Sequence, residues 1–302
     1  MSRAISPSTA RRYGLARVCR VWQLARSTVY WQRAQAALPP EQRPAPRKRG
    51  PRTALTDAQL TEHIRALLTT VGFHGEGHRK VWARLRLQGV RTSKGRVLRL
   101  MRAAALLAPQ RVGRPHGPRA HDGTIITNQP DVMWGTDMTL TWTTREGPVC
   151  IFLAVDHCTA ECVGLHAAAR GTRFEALEPI RQAVSSSFGR YDAGVAAGVA
   201  LRHDHGSVYR SVTFQEELAF LGISSSPAYV REPEGNGCAE RFVRTLKENL
   251  LWVESFATIV EVQAALTAFK RRYNEEWLIE RHGFRSPAQV RVDLATPQAQ
   301  AA

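Results

Sequence analysis

Three carboxylates on separate elements are the residues of this 302-residue chain whose types and spacing could do chemistry. Asp204 ends the apolar run VALRHD (199–204), and Glu240 follows 36 positions later at the start of an amphipathic helical pattern. Asp137 lies upstream in an alternating stretch. Brought into one low-dielectric cleft, these groups would repel one another. Divalent cations remove that penalty, because Mg2+ takes oxygen ligands, keeps several waters and shares substrate phosphates. Two such ions about 3.5–4 Å apart can activate an attacking oxygen and stabilise a leaving one at a phosphodiester, with no covalent enzyme intermediate.

The surrounding pattern predicts the elements that must hold these groups. Met133–Trp142 alternates, with Trp134, Met138, Leu140 and Trp142 on one face and Gly135, Asp137, Thr139 and Thr141 on the other, so Asp137 is expected to point away from the large apolar face. After a turn at Arg145-Glu146-Gly147, VCIFLAVD reads as a buried strand and ECVGLHA as a third, making a meander. Thr172 and Glu175 cap a helix with Phe174, Leu177, Ile180 and Val184 as its core stripe. VALRHD returns as a strand, SVTFQEELAFLG packs as a helix, and residues 224–237 form a loop into the Glu240 helix. The order βββαβα followed by helices predicts an α/β, ribonuclease H-like fold: a mixed five-stranded sheet with flanking helices over 129–295. On the Glu240 helix, Arg244 lies about 40° and Lys247 about 20° from Glu240, opposite Cys238, Phe242, Leu246 and Asn249. One face is thus anchored while the other offers a carboxylate beside two cations, suited to a phosphodiester. A plain i,i+4 surface pair of Glu240 with Arg244 is the alternative for an isolated helix.

Charge separates the two parts of the chain. Residues 1–120 hold 25 Lys and Arg against 4 acidic residues, whereas residues 121–302 hold 17 against 22. A basic field of that density attracts phosphate polyanions. Residues 1–38 read as a helix-turn-helix segment: helical RRYGLARVCRVWQL with Val18, Val21 and Leu24 at helical period, a break at Ala25-Arg26, and Ser27 capping a second helix. A Pro-rich basic linker (39–54) follows, then a trihelical, helix-turn-helix-like DNA-binding domain (55–108) and a second linker (109–128). In the trihelical part Thr56 and Gln59 form a capping box, Leu60, Ile64, Leu67, Leu68, Val97, Leu98, Met101 and Leu106 supply the core, and Gly89 closes the middle helix. No run of eighteen apolar residues occurs and the start lacks a secretory core, so a cytoplasmic, nucleoid-associated protein without membrane partners is expected. The cysteines (Cys19, Cys150, Cys158, Cys162, Cys238) are odd in number and form no CxxC, which favours core thiols over a disulfide framework or a zinc site with His157.

WGTDMT, LRHDHGSVYRS, GNGCAERFVRTLKENL and FKRRYNEEWLIERHGFRSPAQV together resemble the integrase-type DDE transposases of bacterial insertion sequences, specifically their second-reading-frame products. CRVWQLARSTVY and HRKVWARLRLQGVRTSKGRVLRLM are similar to that family's helix-turn-helix segments. The resemblance implies cleavage and strand transfer at element ends by a two-metal mechanism, with two Mg2+ (Mn2+ substituting) on Asp137, Asp204 and Glu240. It implies Lys247 as a DNA-contacting companion, and Arg244, Arg241, Arg26, Ser27, Arg79, Lys80, Lys94 and Arg96 are the further DNA-binding candidates. Implied partners are double-stranded DNA of terminal repeats and target, further copies of the chain on DNA, and an upstream-frame (OrfA-like) product as partner or fusion. The chain departs from the pattern at Gly235-Asn236-Gly237, where relatives often carry Asp-Asn-Ala, and at Thr159-Ala160, where an Arg is common. Asp156 is a candidate fourth ligand read as structural, His203 and His205 are read as supporting Asp204, and Tyr273 and Asn274 as packing residues. The rival readings are a ribonuclease H-like nuclease without strand transfer and a non-catalytic DNA-binding relic or repressor.

Overall fold

Residues 133–168 form the antiparallel meander β1 (Met133–Thr143), β2 (Gly147–Asp156) and β3 (Cys162–Ala168) in a computed structural model that describes residues 3–43, 54–109, 125–228 and 233–295. Two parallel strands, β4 (Ala200–His203) and β5 (Ser224–Pro227), join the free side of β1 to give the order β3-β2-β1-β4-β5. β5 occupies part of the stretch expected as loop. Its sequence, SSSP, carries no apolar alternation; the strand exists through backbone pairing with β4 from Ala200↔Ser224 to His203↔Pro227, and its proline is tolerated because it lies at the sheet edge.

The period-2 side-chain alternation of β2 divides the interior. Val149, Ile151, Leu153 and Val155 face a core with α8 (Gly237–Leu246) and α9 (Ile259–Glu276), including Phe242, Leu246, Phe269 and Tyr273. Phe152 and Ala154 face the opposite core with Trp134, α6 (Arg173–Phe188) and α7 (Val212–Leu221). A final helix, α10 (Pro287–Ala295), follows α9. Thr172 caps α6 as expected, accepting from the Glu175 amide.

Two expectations about this core fail. Met138, Leu140 and Trp142 are 38%, 58% and 67% exposed, because β4 reaches only Gly135 and the outer half of β1 has a strand neighbour on one side alone. Phe174, in the first turn of α6, is 54% exposed and stacks under Arg173 instead of joining Leu177, Ile180 and Val184 inside.

The chain divides into two units, Met1–Ala54 and Leu55–Ala302. In the first, α1 (Leu15–Val21) and α2 (Arg26–Ala37) flank the turn 22–25. The cap of α2 is Ala25 and not Ser27, which lies two residues further on within the first turn, and no side chain caps the helix. Val21 and Leu24 are exposed, and Cys19 is the buried apolar residue of this helix pair. The basic linker stretches 44–53 and 110–124 lie outside the described residues.

In the second unit α3 (Asp57–Thr70), α4 (His78–Leu87) and α5 (Lys94–Ala103) enclose Leu60, Ile64, Leu67, Val81, Leu85, Val97 and Met101. The Thr56/Gln59 capping box is formed, and Gly89, at φ +81°, ends α4 in the left-handed region. These helices pack on the sheet's α8–α9 layer. Phe73 inserts edge-on between Trp277 (4.9 Å) and Phe269 (6.4 Å), and the His74 amide donates to Asn249 Oδ1 at 2.7 Å. Lys80 lies over Trp277, its ammonium pulled down to about 7 by burial. Arg84 binds the buried Glu76 carboxylate through two bonds and donates to the Glu276 carbonyl. Among the described residues no helix is long and apolar enough to cross a membrane.

Phe73 is 3% exposed and is the apolar plug of this joint. Phe73→Ala should cost about 3–5 kcal/mol in denaturant unfolding and speed protease cleavage ahead of the sheet. A loss below about 1 kcal/mol would show that the joint does not depend on it.

Candidate active site

β1 and β4 run parallel with Gly135 paired to Arg202. Two steps further along each chain stand Asp137, within β1, and Asp204, directly after β4. A two-residue step keeps the face of a strand, so the pairing sets both carboxylates side by side on the face that carries α8. α8 presents Glu240, exposed, in its first turn. Its opposite face is anchored by Cys238, Ala239, Phe242 and Leu246, with the Phe242 ring 4.8 Å from Tyr273 and 6.2 Å from Phe269. The α-helix then passes into a π-helical turn over Lys247–Leu251, which buries Asn249, Leu250 and Leu251.

Asp137 is half-buried and accepts the Met138 amide at 2.8 Å. Burial pushes its carboxyl up to about 6; the Met138 amide opposes the shift, the Asp204 and Glu240 charges add to it, and Lys247 opposes it. All three carboxylates therefore act in one field, with Lys247 beside them. Asp204 is exposed and accepts the Gly206 amide at 2.8 Å through Oδ1 in a tight turn. Among the described residues no three acidic, histidine or cysteine side chains close into a metal cage. The cluster is open, all-oxygen and negatively frustrated, which fits a hard cation that retains waters and phosphate oxygens in its shell.

The supporting residues fall as follows. Asp156 is fully buried and accepts from the Thr159 amide and hydroxyl and the Asp131 amide, a structural role. His203 donates through Nδ1 to the Asp204 carbonyl (2.6 Å) and accepts from Ser225 Oγ (2.9 Å), while His205 donates to the Ala228 carbonyl (2.6 Å). Both brace the Asp204 turn. Tyr273 donates to the Ala160 carbonyl, and the Asn274 amide pairs with the backbone N–H and carbonyl of Cys162, holding α9 to the β3 end. Cys158 and Cys162 are buried thiols, with burial pushing that of Cys162 up to about 12.

The basic candidates divide into two groups. Arg241 and Arg244 are exposed on α8, Lys247 is half-buried next to them, and Arg26 and Ser27 are exposed in the first turn of α2. The others are engaged within the second unit: Arg79 with Glu280 (3.0 Å), Lys80 with Trp277, Lys94 over Trp82 and Phe284, and Arg96 with Asp57 and the Leu55 carbonyl. Their acidic and aromatic partners, distant in sequence, were invisible to spacing. Sequence reasoning also missed Asn236 and Arg202, which lie buried at the foot of α8. The only signal was the Gly-Asn-Gly turn itself.

An HTH-like domain model matches residues 56–114, and an integrase core domain model matches residues 221–287, a span that includes Glu240. The transposase InsD of insertion element IS2A/D/F/H/I/K from Escherichia coli is 29% identical over 223 residues, covering 70% of this chain and 71% of that protein. The catalytic core domain of BIV integrase is similar over 54% of this chain and 95% of its own, with 21% identity and a TM-score of 0.40. The chain is thus similar to the IS2 transposase InsD over most of its length, with the match to an HTH-like domain preceding the match to an integrase core domain.

Proposed function

We propose that this protein is a transposase whose carboxylates Asp137, Asp204 and Glu240 hold two Mg2+ ions and cleave and join DNA at insertion-sequence ends. The observation that carries the reading is the convergence of two parallel strand ends and one helix start around a single half-buried carboxyl, which burial raises to about 6 and the charges of Asp204 and Glu240 raise further. Bound divalent cations supply charge neutralisation at the attacking and leaving oxygens of a phosphodiester. The chain's own part is positional. β1 and β4 fix two ligands on a rigid sheet, α8 adds the third, and Arg241, Arg244 and Lys247 lie along the same helix for the backbone phosphates. The α2 start with Arg26 and Ser27 reads the element end from the first unit, where a helix start can enter a groove. In this reading the protein works at the nucleoid, as a multimer that pairs two ends, with an upstream-frame product as partner or fusion. Manganese replaces magnesium because both take oxygen ligands in octahedral shells.

The same site would accept either water or a freed 3′-hydroxyl, and the similarity to the transposase InsD favours strand transfer over plain hydrolysis. A donor element in cells should give excision and new junctions with the wild-type chain, and Glu240→Gln should lower junction formation by about 10³-fold or more while end binding persists. Cleaved ends without junctions would favour the nuclease reading, and equal activity of Glu240→Gln would remove Glu240 from the site.

Ionisation of Asp137 has a sign that can be checked. Its folded value near 6 lies above the usual 3.8, so this group's contribution to stability is present at low pH and lost as pH rises through 6. Asp137→Asn should therefore stabilise the cation-free protein by about 1–2 kcal/mol near pH 8 and by little near pH 4, and millimolar Mg2+ should shrink the difference. A gain independent of pH in thermal unfolding would contradict a frustrated carboxyl.

A further inference from the structure

Asn236 stands at the cap position of α8, yet its side chain makes no capping bond to the helix. Asparagine is among the best capping residues, so forgoing the cap calls for another partner. That partner is on the sheet: Nδ2 donates to the Thr136 carbonyl at 3.0 Å in a site where Asn236 is 6% exposed. A carbonyl only accepts, so the amide orientation is fixed and Oδ1 turns toward Gly135. A Cβ on Gly135 would lie 2.7 Å from Asn236 Oδ1 and 2.8 Å from His157 Nε2, closer than real contacts allow. His157 is itself fully buried and held through Nδ1 by the Ile125 carbonyl at 2.8 Å.

The other side of the same turn packs closely against Arg202 of β4. A Cβ on Gly235 would overlap the buried Arg202 guanidinium, which donates to Ser226 Oγ (3.1 Å) and the Pro227 carbonyl (3.2 Å). Glycine at this position thus makes room for an arginine two residues ahead of Asp204. Thr136 adjoins Asp137 in sequence, and Glu240 lies one helical turn beyond Asn236.

We infer that Asn236 is a positioning residue: its single amide bond to the Thr136 carbonyl fixes the separation of Glu240 from Asp137, with Gly135 and Gly235 giving the clearance for it. The role rests on the reading of these carboxylates as cation ligands. Ligand sets lose affinity about 10–100-fold when the groups that orient them are removed, although those groups never touch the ion.

The test is Mn2+ binding by the full chain, followed through the resonance signal of free Mn2+, together with the unfolding midpoint. Asn236→Leu keeps the shape and removes the donor; Asn236→Ala is the second variant. Both should raise half-saturating Mn2+ about tenfold with midpoints within about 2 °C of wild type. Wild-type binding in either folded variant overturns the positioning role. Loss of the fold in both overturns it too, because the bond would then be one of general stability. Mn2+ binding that is absent in wild type, or unchanged by Glu240→Gln, overturns the cation reading itself and the role with it.

Discussion

Two parallel strands cannot be paired at Gly135 and Arg202 without bringing Asp137 and Asp204 together two residues later. That register is the constraint on which the rest of the molecule depends. It concentrates negative charge where the strands leave the sheet, and Asp137 is raised there first by burial and then by the Asp204 and Glu240 charges. Much of the neighbouring structure serves to keep the pair from relaxing apart. Asp204 is locked in its turn by the Gly206 amide, His203 and His205 tie that turn to β5 and its exit, and Asn236 ties the start of α8 to β1. Phe242 and Leu246 supply the apolar grip that lets a helix end carrying Glu240 stay there.

The cations of the basic helices α3–α5 also make contacts within the second unit. Arg79, Arg84, Lys80 and Lys94 meet Glu280, Glu76, Trp277 and the Trp82–Phe284 pair, so part of the positive excess serves to dock the helices on the α8–α9 layer. Arg96 and Arg99 converge on Asp57 and hold its carboxyl below its usual range. Phe73 and the His74–Asn249 bond extend this joint to the π-helical turn that continues from the Glu240 helix. The helices and the site-bearing layer are therefore built against one another.

The sheet meander, the helix caps and the places of Asp137, Asp204 and Glu240 were legible because they rest on local rules: period-2 alternation in β1, capping by Thr56 and Thr172, and an amphipathic pattern after Gly237. β5 was not, because SSSP has no hydrophobic signal and owes its state to pairing with β4. The exposure of Leu140 and Trp142 depends on where β4 stops, a tertiary fact. Ser27 had the chemistry of a cap but not the backbone position, which Ala25 takes. Within the site, the three carboxylates could be read and the Asn236 bond could not, since Asn236 and Thr136 are 100 residues apart and joined by one bond.

The central claim is that Asp137, Asp204 and Glu240 jointly hold divalent cations against DNA. The most direct measurement is anomalous diffraction from crystals of the full chain grown with Mn2+ and a duplex carrying the flanking element end. The account predicts anomalous density bounded by these three carboxylates and a DNA phosphate. Manganese bound elsewhere, such as at the buried Asp156 network, with no density among the three, would contradict it.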